Sequence, residues 1–399
     1  MNLKPSIIFY AFIFLASFCI LNAQEDKTMY VFGHSLIVHD PPAIATPSNE
    51  TTVPHWLHFL AQEAGNSIAV SGQYGFLRQH DNLPPISQWG FDSVLPAWDS
   101  DANSFSSANF DTILLTAGNF IQDQSSSAPY YDDPNTTPLS ATLTIIDWLE
   151  TNESTAVTYI YENWPDMAGF VEGELFPASE SEFQNYNDYV IDDFHDWWIE
   201  YHDFIQTARP SEKVRMIPVG PIIAKLLTQT PLNTIPFLEL YEDNAPHGRP
   251  TLYFLAGLIT YMAIYEQKAP VSFMIPNTVS VVVQTHFQST IDFIWDELVL
   301  FNNFDGSSRV FTNVVLSSNV VLDPNEVEVY PNPANTILNI QKHSDLERIE
   351  MYDTKGRLVL IKNGNIPKTL DISFLSKGVY VLKLKRIDKA ILTNRFVKN

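Results

Sequence analysis

The spacing of apolar and polar residues changes once along the chain, and the change predicts two kinds of fold. Between residues 28 and 270, short apolar runs alternate with longer segments of helical spacing, which is typical of βα units around a parallel sheet. The fold class expected here is therefore α/β. The pattern predicts strands at 28–33, 67–71, 112–117, 156–161, 214–219 and 279–283, and helices at 51–65, 139–151, 183–208, 221–229, 250–266 and 288–301.

From about residue 326 the spacing becomes an alternation of β type. Turn residues at 331–333, 355–356 and 363–364 separate the apolar segments, which predicts a small all-β sandwich over 326–399. The charge changes at the same place: residues 1–325 carry 10 Lys and Arg against 38 Asp and Glu, whereas residues 326–399 carry 13 against 8. The predicted strands are 326–330, 337–341, 348–352, 358–361, 369–372, 379–384 and 390–397.

The amino end has the order of a secretory signal peptide. Lys4 precedes an apolar stretch from Ile7 to Leu21, and Ala23 follows as a small residue at the expected cleavage point. Residues 1–23 are therefore the predicted signal peptide, and 24–320 the predicted α/β domain. Cys19, the only cysteine, lies inside the signal, so the mature chain can form no disulfide. No later stretch reaches the ~20 apolar residues of a membrane span, and we expect none in the mature chain.

Composition narrows the class of partner. A strongly acidic main body argues against nucleic acid and anionic lipid, which both bind basic patches. Aromatic residues make up 13% of the chain and include eight tryptophans. Such residues suit a surface that binds neutral or acetylated sugars, although they more often fill a core.

Several polar side chains follow predicted strands. Ser35 comes after the first strand and Gly33, at the edge of the sheet where α/β proteins bind ligands. A serine nucleophile needs an imidazole base and a carboxylate to orient that base. His247 stands in a polar loop before the segment 250–266, and either Asp243 or Glu242 could hold its second nitrogen.

Two further strand ends could supply donors to an oxyanion. Gly72 follows the second predicted strand with a backbone N–H, and Asn119 follows the third with an amide. Each of these features alone is a common strand-to-loop turn. Their order along the chain is informative: serine, glycine, asparagine and then histidine.

In this order of residues the segment 28–266 resembles the SGNH (GDSL-type) hydrolase superfamily. The resemblance implies a three-layer αβα sheet of flavodoxin-like order. It also implies Ser35 as nucleophile, His247 as base, and the Ser35 N–H, Gly72 and Asn119 as the oxyanion hole. The chain departs from the family where His34 replaces the usual Asp and where no Asp follows Asn119. The position three residues before the histidine is Asn244, so the acid is Asp243 in a longer loop, or the site is a Ser–His dyad.

The tail resembles the type A C-terminal sorting domain of the type IX secretion system of Bacteroidota. Three motifs carry the resemblance in order: Val329–Ala334, Met351–Arg357 and Leu375–Tyr380. The resemblance implies a signal peptide that leads to the periplasm and a tail that engages the secretion machinery for outer-membrane export. The alternative is an accessory β-domain that binds sugar.

Together these features predict a secreted or surface-located serine esterase. We expect it to cleave an acyl ester, favouring acetyl, on a glycan or another small ester substrate, without metal or other cofactor. The alternative is a non-catalytic cell-surface protein that binds glycans with a degenerate SGNH fold.

Overall fold

The computed structural model divides the chain into two compact units, Met1–Val314 and Val315–Asn399. It describes residues 24–399 apart from 82, 117–123, 168, 172–175, 211–212, 304–305, 313–328, 342–345, 354–357, 365 and 387–390. The predicted signal peptide at 1–23 and the predicted turn at 355–356 lie outside the described residues.

The first unit is built on a parallel five-stranded sheet, which confirms the predicted α/β class. The strand order is β2-β1-β3-β4-β5, the flavodoxin-like order. In this order the chain reverses direction across the sheet between β1 and β3, and ligands bind at the carboxyl edge of such a point. The strands are β1 Asp26–Gly33, β2 Ser67–Tyr74, β3 Thr112–Leu115, β4 Val157–Tyr161 and β5 Val214–Ile217.

Helices cover both faces of this sheet. Alternate residues of β1 enter different cores: Met29 and Val31 pack with α1, α6 and α8, whereas Tyr30 and Phe32 pack with α3 and α5. The helices are α1 Val53–Glu63, α2 Leu77–His80, α3 Pro138–Asn152, α4 Glu180–Ile191, α5 Asp193–Ala208, α6 Val219–Gln229, α7 Phe237–Leu240, α8 Pro250–Tyr265, α9 Val281–Thr285 and α10 Phe287–Leu300.

Two element predictions are wrong. The helix predicted over 183–208 is divided at Asp192, whose φ and ψ of −100° each interrupt the helical path between α4 and α5. The strand predicted over 279–283 is instead the start of α9. Its valines favour a strand, but Ser280 caps a helix by accepting the N–H of Val282 at 3.4 Å.

The second unit is the all-β sandwich that the sequence predicts. Its two antiparallel sheets have the orders β10-β7-β6 and β12-β11-β8-β9. Side chains of both sheets, including Leu338, Leu370 and Leu382, form one buried core. The strands are β6 Val329–Tyr330, β7 Ile337–Ile340, β8 Leu346–Asp353, β9 Leu358–Asn363, β10 Thr369–Asp371, β11 Gly378–Arg386 and β12 Ile391–Lys398.

Among the described residues, no helix combines the length and the apolar character needed to cross a bilayer.

Candidate active site

Ser35 lies in a tight turn directly after β1, at the reversal point of the sheet. The carbonyl oxygen of His34 closes the turn by accepting the N–H groups of Ile37 and Val38 at 2.9 and 3.1 Å. Ser35 is partly exposed, whereas His34 and Leu36 on either side of it are buried. The turn therefore leaves Ser35 partly exposed between two buried neighbours at the carboxyl edge of the sheet.

His247 lies in a loop that its own backbone holds in shape. Tyr241 and Gly248 form an antiparallel bridge, and the N–H of Glu242 donates to the carbonyl oxygen of His247 at 2.9 Å. The indole of Trp164, from the loop after β4, donates to the carbonyl oxygen of Pro246 at 2.9 Å. The loop is thus fixed at both ends before α8 begins.

Asp243 is the carboxylate that contacts His247. Its Oδ2 lies 2.6 Å from Nδ1 of the His247 ring, and its Oδ1 accepts the N–H groups of Ala245 and His247 at 3.0 Å each. Burial acts to raise the pKa of Asp243, but these hydrogen bonds outweigh it and lower the pKa below its usual value. An ionised Asp243 favours a His247 ring with its proton on Nδ1 and leaves Nε2 to act as a base.

The His247 loop and the Ser35 turn meet at the same edge of the sheet. The Tyr253 hydroxyl, in the first turn of α8, donates to the carbonyl oxygen of Ser35 at 2.5 Å. The rings of His247 and His39, which follows Ser35 by four residues, stack with their centroids 4.2 Å apart and their planes within 9°. The structure therefore brings together the segments that carry Ser35, Asp243 and His247.

Glu242, the other acid that the sequence offered, pairs with a different imidazole. Its Oε1 contacts Nε2 of His39, and its carboxylate accepts the N–H of Ala43 at 3.0 Å. The side chain of Glu242 is only 4% exposed. The sequence analysis did not identify His39, whose ring lies beside that of His247.

His34 differs chemically from the aspartate that the resemblance to SGNH hydrolases predicts at this position. Its Nδ1 accepts the N–H of Leu36 at 3.3 Å, and its buried Nε2 has no partner among the described residues. Burial, together with electrostatic repulsion from the neighbouring imidazoles of His80 and His247, lowers the pKa of His34 to about 3. The ring is therefore neutral at pH 7 and adds no negative charge beside Ser35.

Gly72 does not lie where the sequence placed it. Strand β2 continues to Tyr74, so Gly72 sits inside the strand opposite Val31. Its carbonyl oxygen accepts the N–H groups of Gln88 and Trp89 at 2.9 and 3.3 Å. The expectation that Gly72 follows the end of this strand is wrong, because the strand is longer than its apolar run. Asn119 lies outside the described residues.

A buried acid–imidazole pair lies at the end of a second strand. Glu162, directly after β4, is fully buried, and its carboxylate oxygens lie 2.9 and 3.0 Å from Nδ1 of His195 on α5. Burial raises the pKa of Glu162 to about 6, and the contact with His195 opposes that rise. The sequence analysis did not identify this pair, because its two residues are 33 positions apart.

An aromatic cleft lies on one side of the candidate site. It has a volume of about 380 Å³, and its wall includes Tyr131, which is 85% exposed, and Phe76, whose ring centroid lies 5.6 Å from that of His34. Arg78 pairs with Asp132 in the same wall and lies over the ring of Tyr130. The cleft therefore combines exposed rings with charged hydrogen-bonding groups.

A second cavity, of about 440 Å³, lies on the side of Glu242. Exposed apolar side chains of Ile44, Leu238 and Val281 line it together with Arg249.

Comparison with known proteins identifies the tail. Residues 328–399 match the model of the secretion system C-terminal sorting domain. This match confirms the predicted sorting domain and indicates export to the cell surface or into the medium. A 61-residue segment of the chain is 36% identical to β-agarase D of Zobellia galactanivorans, which amounts to 15% of this chain and 12% of the agarase.

Solved structures that this chain is similar to include an acetylxylan esterase and an α/β hydrolase enzyme. Axe2, an acetylxylan esterase from Geobacillus stearothermophilus, is 11% identical, and the match covers 64% of this chain and 98% of that one with a TM-score of 0.33. LAE5, an α/β hydrolase enzyme from the metagenome of Lake Arreo in Spain, is 10% identical over 61% of this chain and 96% of that one, with a TM-score of 0.37.

Proposed function

We propose that the first unit is an exported serine esterase with Ser35 as nucleophile, His247 as base and Asp243 as the carboxylate that orients the base. The observation that carries the proposal is the 2.6 Å contact between Asp243 and Nδ1 of His247, in a loop that meets the Ser35 turn. A carboxylate on one ring nitrogen prepares the other to take a proton from a hydroxyl.

The proposed reaction has two steps. The Ser35 oxygen attacks the ester carbonyl while Nε2 of His247 takes its proton, and the same proton then passes to the leaving alcohol. In the second step His247 takes a proton from water, the hydroxide attacks the acyl-enzyme, and Ser35 recovers its proton as the acid leaves. Asp243 stabilises the imidazolium in both steps.

The negative charge that develops on the carbonyl oxygen needs donors. We assign this role to the N–H of Ser35 and, on the family resemblance alone, to the amide of Asn119. Gly72 is not included, because it lies inside β2 and not at the strand end where the sequence predicts a donor. Loss of one such donor typically costs ~10²–10³ in kcat, so the side-chain amide of Asn119 is open to test by substitution.

The substrate class that we propose is an acylated glycan, with acetyl as the favoured acyl group. The aromatic cleft supports this, because an exposed ring such as Tyr131 can stack on the apolar face of a sugar. The paired charges of Arg78 and Asp132 offer hydrogen-bond partners for sugar hydroxyls.

The decisive experiment measures turnover of p-nitrophenyl acetate and acetyl-xylan by the wild type and by Ser35→Ala. We expect Ser35→Ala to lose at least about 10³-fold in kcat. Ser106→Ala, at an exposed serine of the loop before β3, is the matched control and should retain the wild-type rate. Equal rates for Ser35→Ala and the wild type would rule the esterase out.

A non-catalytic glycan-binding protein is the second candidate, and the aromatic cleft together with the neutral His34 favours it. It predicts that the wild type binds acetyl-xylan in a pull-down but releases no acetate. The esterase predicts acetate release that depends on Ser35.

A further inference from the structure

The candidate site contains two imidazole–carboxylate pairs, and their rings lie face to face. His247 pairs with Asp243, and His39 pairs with Glu242. The two carboxylates come from consecutive residues, and the two rings are nearly parallel at a centroid distance of 4.2 Å. The His247–Asp243 pair alone is sufficient for the proposed chemistry, so the His39–Glu242 pair requires a separate explanation.

His39 is held by its backbone as well as by its side chain. Its N–H donates to the carbonyl oxygen of Thr51 at 3.1 Å, and the Thr51 hydroxyl donates back to the carbonyl oxygen of His39 at 2.5 Å. Glu242 in turn is fixed by the N–H of Ala43. The ring of His39 is therefore a rigid flat surface and not a mobile surface side chain.

The contact of Asp243 with Nδ1 restrains only one corner of the His247 ring. The ring can still tilt about that contact, and the tilt moves Nε2, the atom that must reach the serine hydroxyl. A flat ring stacked on one face limits the tilt. Because proton transfer needs heavy atoms within ~2.6–3.2 Å of each other, a small loss of alignment lowers the rate strongly.

Packing alone does not account for the second pair. The side chains of His39 and His247 are 14% and 21% exposed, so neither fills the interior of a core. The carboxylate of Glu242 is almost completely buried, and burying a carboxylate is costly unless it is paired. The buried carboxylate of Glu242 thus carries a desolvation cost, and its contacts are with the ring of His39 and the N–H of Ala43.

We propose that His39, held by Glu242, is a positioning residue that fixes the plane of the His247 ring for proton transfer from Ser35. This proposal rests on the proposed esterase function. It assigns to His39 no contact with substrate, and it predicts that a flat ring at position 39 is what the site requires.

The kinetic test compares His39→Ala, His39→Phe and Glu242→Gln with p-nitrophenyl acetate. We expect His39→Ala to lower kcat about 10- to 100-fold with KM within about twofold of the wild type, because alignment and not binding is lost. His39→Phe keeps a flat ring and should return kcat to within about threefold of the wild type. Glu242→Gln should fall between the two. His58→Ala, whose ring packs on Phe59 of α1, is the control.

A second measurement does not depend on activity. Imidazole ¹⁵N spectra of Ser35→Ala should show one sharp set of ring signals for His247 with the proton on Nδ1. Adding His39→Ala should broaden or shift these signals, whereas adding His39→Phe should not.

The outcomes separate the two proposals. Wild-type activity in Ser35→Ala overturns the esterase itself. Two results overturn the positioning role. The first is a wild-type kcat in His39→Ala when Ser35→Ala is inactive. The second is a His39→Phe variant that is as slow as His39→Ala while the ring signals of His247 are unchanged. Melting temperatures of all variants identify any loss of folding, and Glu242→Gln keeps the test valid if His39→Ala does not fold.

Discussion

At the scale of single residues, the acid of the site is selected by backbone geometry. Glu242 and Asp243 are adjacent carboxylates, so the sequence alone predicts either as the partner of His247. Asp243 accepts two backbone N–H groups of its own loop, which places its second oxygen against the ring. The longer Glu242 side chain reaches His39 instead.

Asp243→Asn tests this selection. The amide cannot stabilise the imidazolium, and it can present its N–H₂ to Nδ1 and favour the wrong tautomer, so we expect kcat for p-nitrophenyl acetate to fall about 10³- to 10⁴-fold. Asp40→Asn, at an exposed neighbour of His39, is the control. A fall of less than tenfold in Asp243→Asn would favour a Ser35–His247 dyad over the three-residue site.

Tyr131 tests the glycan surface. Removing its exposed ring in Tyr131→Ala should raise KM for acetyl-xylan about tenfold, because stacking area worth roughly 1 kcal/mol or more is lost. The rate with p-nitrophenyl acetate, which has no sugar, should stay unchanged. Tyr131→Phe keeps the ring and should behave as the wild type. A Tyr131→Ala that hydrolyses acetyl-xylan normally would place the sugar elsewhere.

At the scale of elements, the helix that follows His247 packs closely against α1. Helix α8, which follows His247 and carries Tyr253, is buried from Thr251 to Tyr265. It can approach α1 because Gly257 has no side chain: a Cβ there would lie 2.5 Å from Cβ of Trp56. Helix α8 thus both fills the core and positions the site.

Gly257→Ala should therefore destabilise the first unit. Overpacking of this kind costs about 1–3 kcal/mol, which exceeds the gain in helix propensity from alanine. Urea unfolding followed by tryptophan fluorescence measures it. Gly90→Ala, where an added Cβ meets no atom within 4 Å, is the control. Equal stability of the two variants would contradict the packing argument.

The same scale shows where sequence patterns fail. Strand β2 was predicted to end at residue 71 because Gly72 and Gln73 interrupt its apolar run, yet the sheet continues to Tyr74. The reason is a tertiary contact. The ring of Trp89 packs where side chains at Gly72 and Gly33 would lie, so both glycines lie within strands that Trp89 covers. A glycine that marks a turn in sequence can equally mark a close contact.

At the scale of the whole molecule, buried neutral histidines make the first unit sensitive to acid. Burial lowers the pKa of His34 and His202 to about 3 and that of His55 and His80 to about 4. The unfolded chain binds protons at these positions near pH 6.5 and the folded chain does not. The stability that they contribute is present above pH 6.5 and is lost as the pH falls below it.

We therefore expect the free energy of unfolding to fall between pH 7.5 and 5.5. Each of the four histidines lowers the free energy of unfolding by about 1 kcal/mol over this range. The raised pKa of Glu162 has the opposite effect and offsets the contribution of about one histidine. Urea unfolding by tryptophan fluorescence measures this in the full chain, because all eight tryptophans lie before residue 314. His55→Gln should reduce the pH dependence by about one histidine's share. A constant stability over this range would contradict the burial of these rings.

The sequence by itself determined the α/β class of the first unit, the β-sandwich and the sorting motifs, because strand and helix periods and short motifs depend only on neighbours along the chain. Ser35, Asp243 and His247 could be proposed for the same reason, since each lies next to a recognisable strand or helix boundary. Only the tertiary structure decided which carboxylate contacts which imidazole, that Gly72 lies within a strand, and that Glu162 meets His195. These contacts form between side chains that are distant in sequence and close in space, and the periodicity of a sequence does not specify such distances.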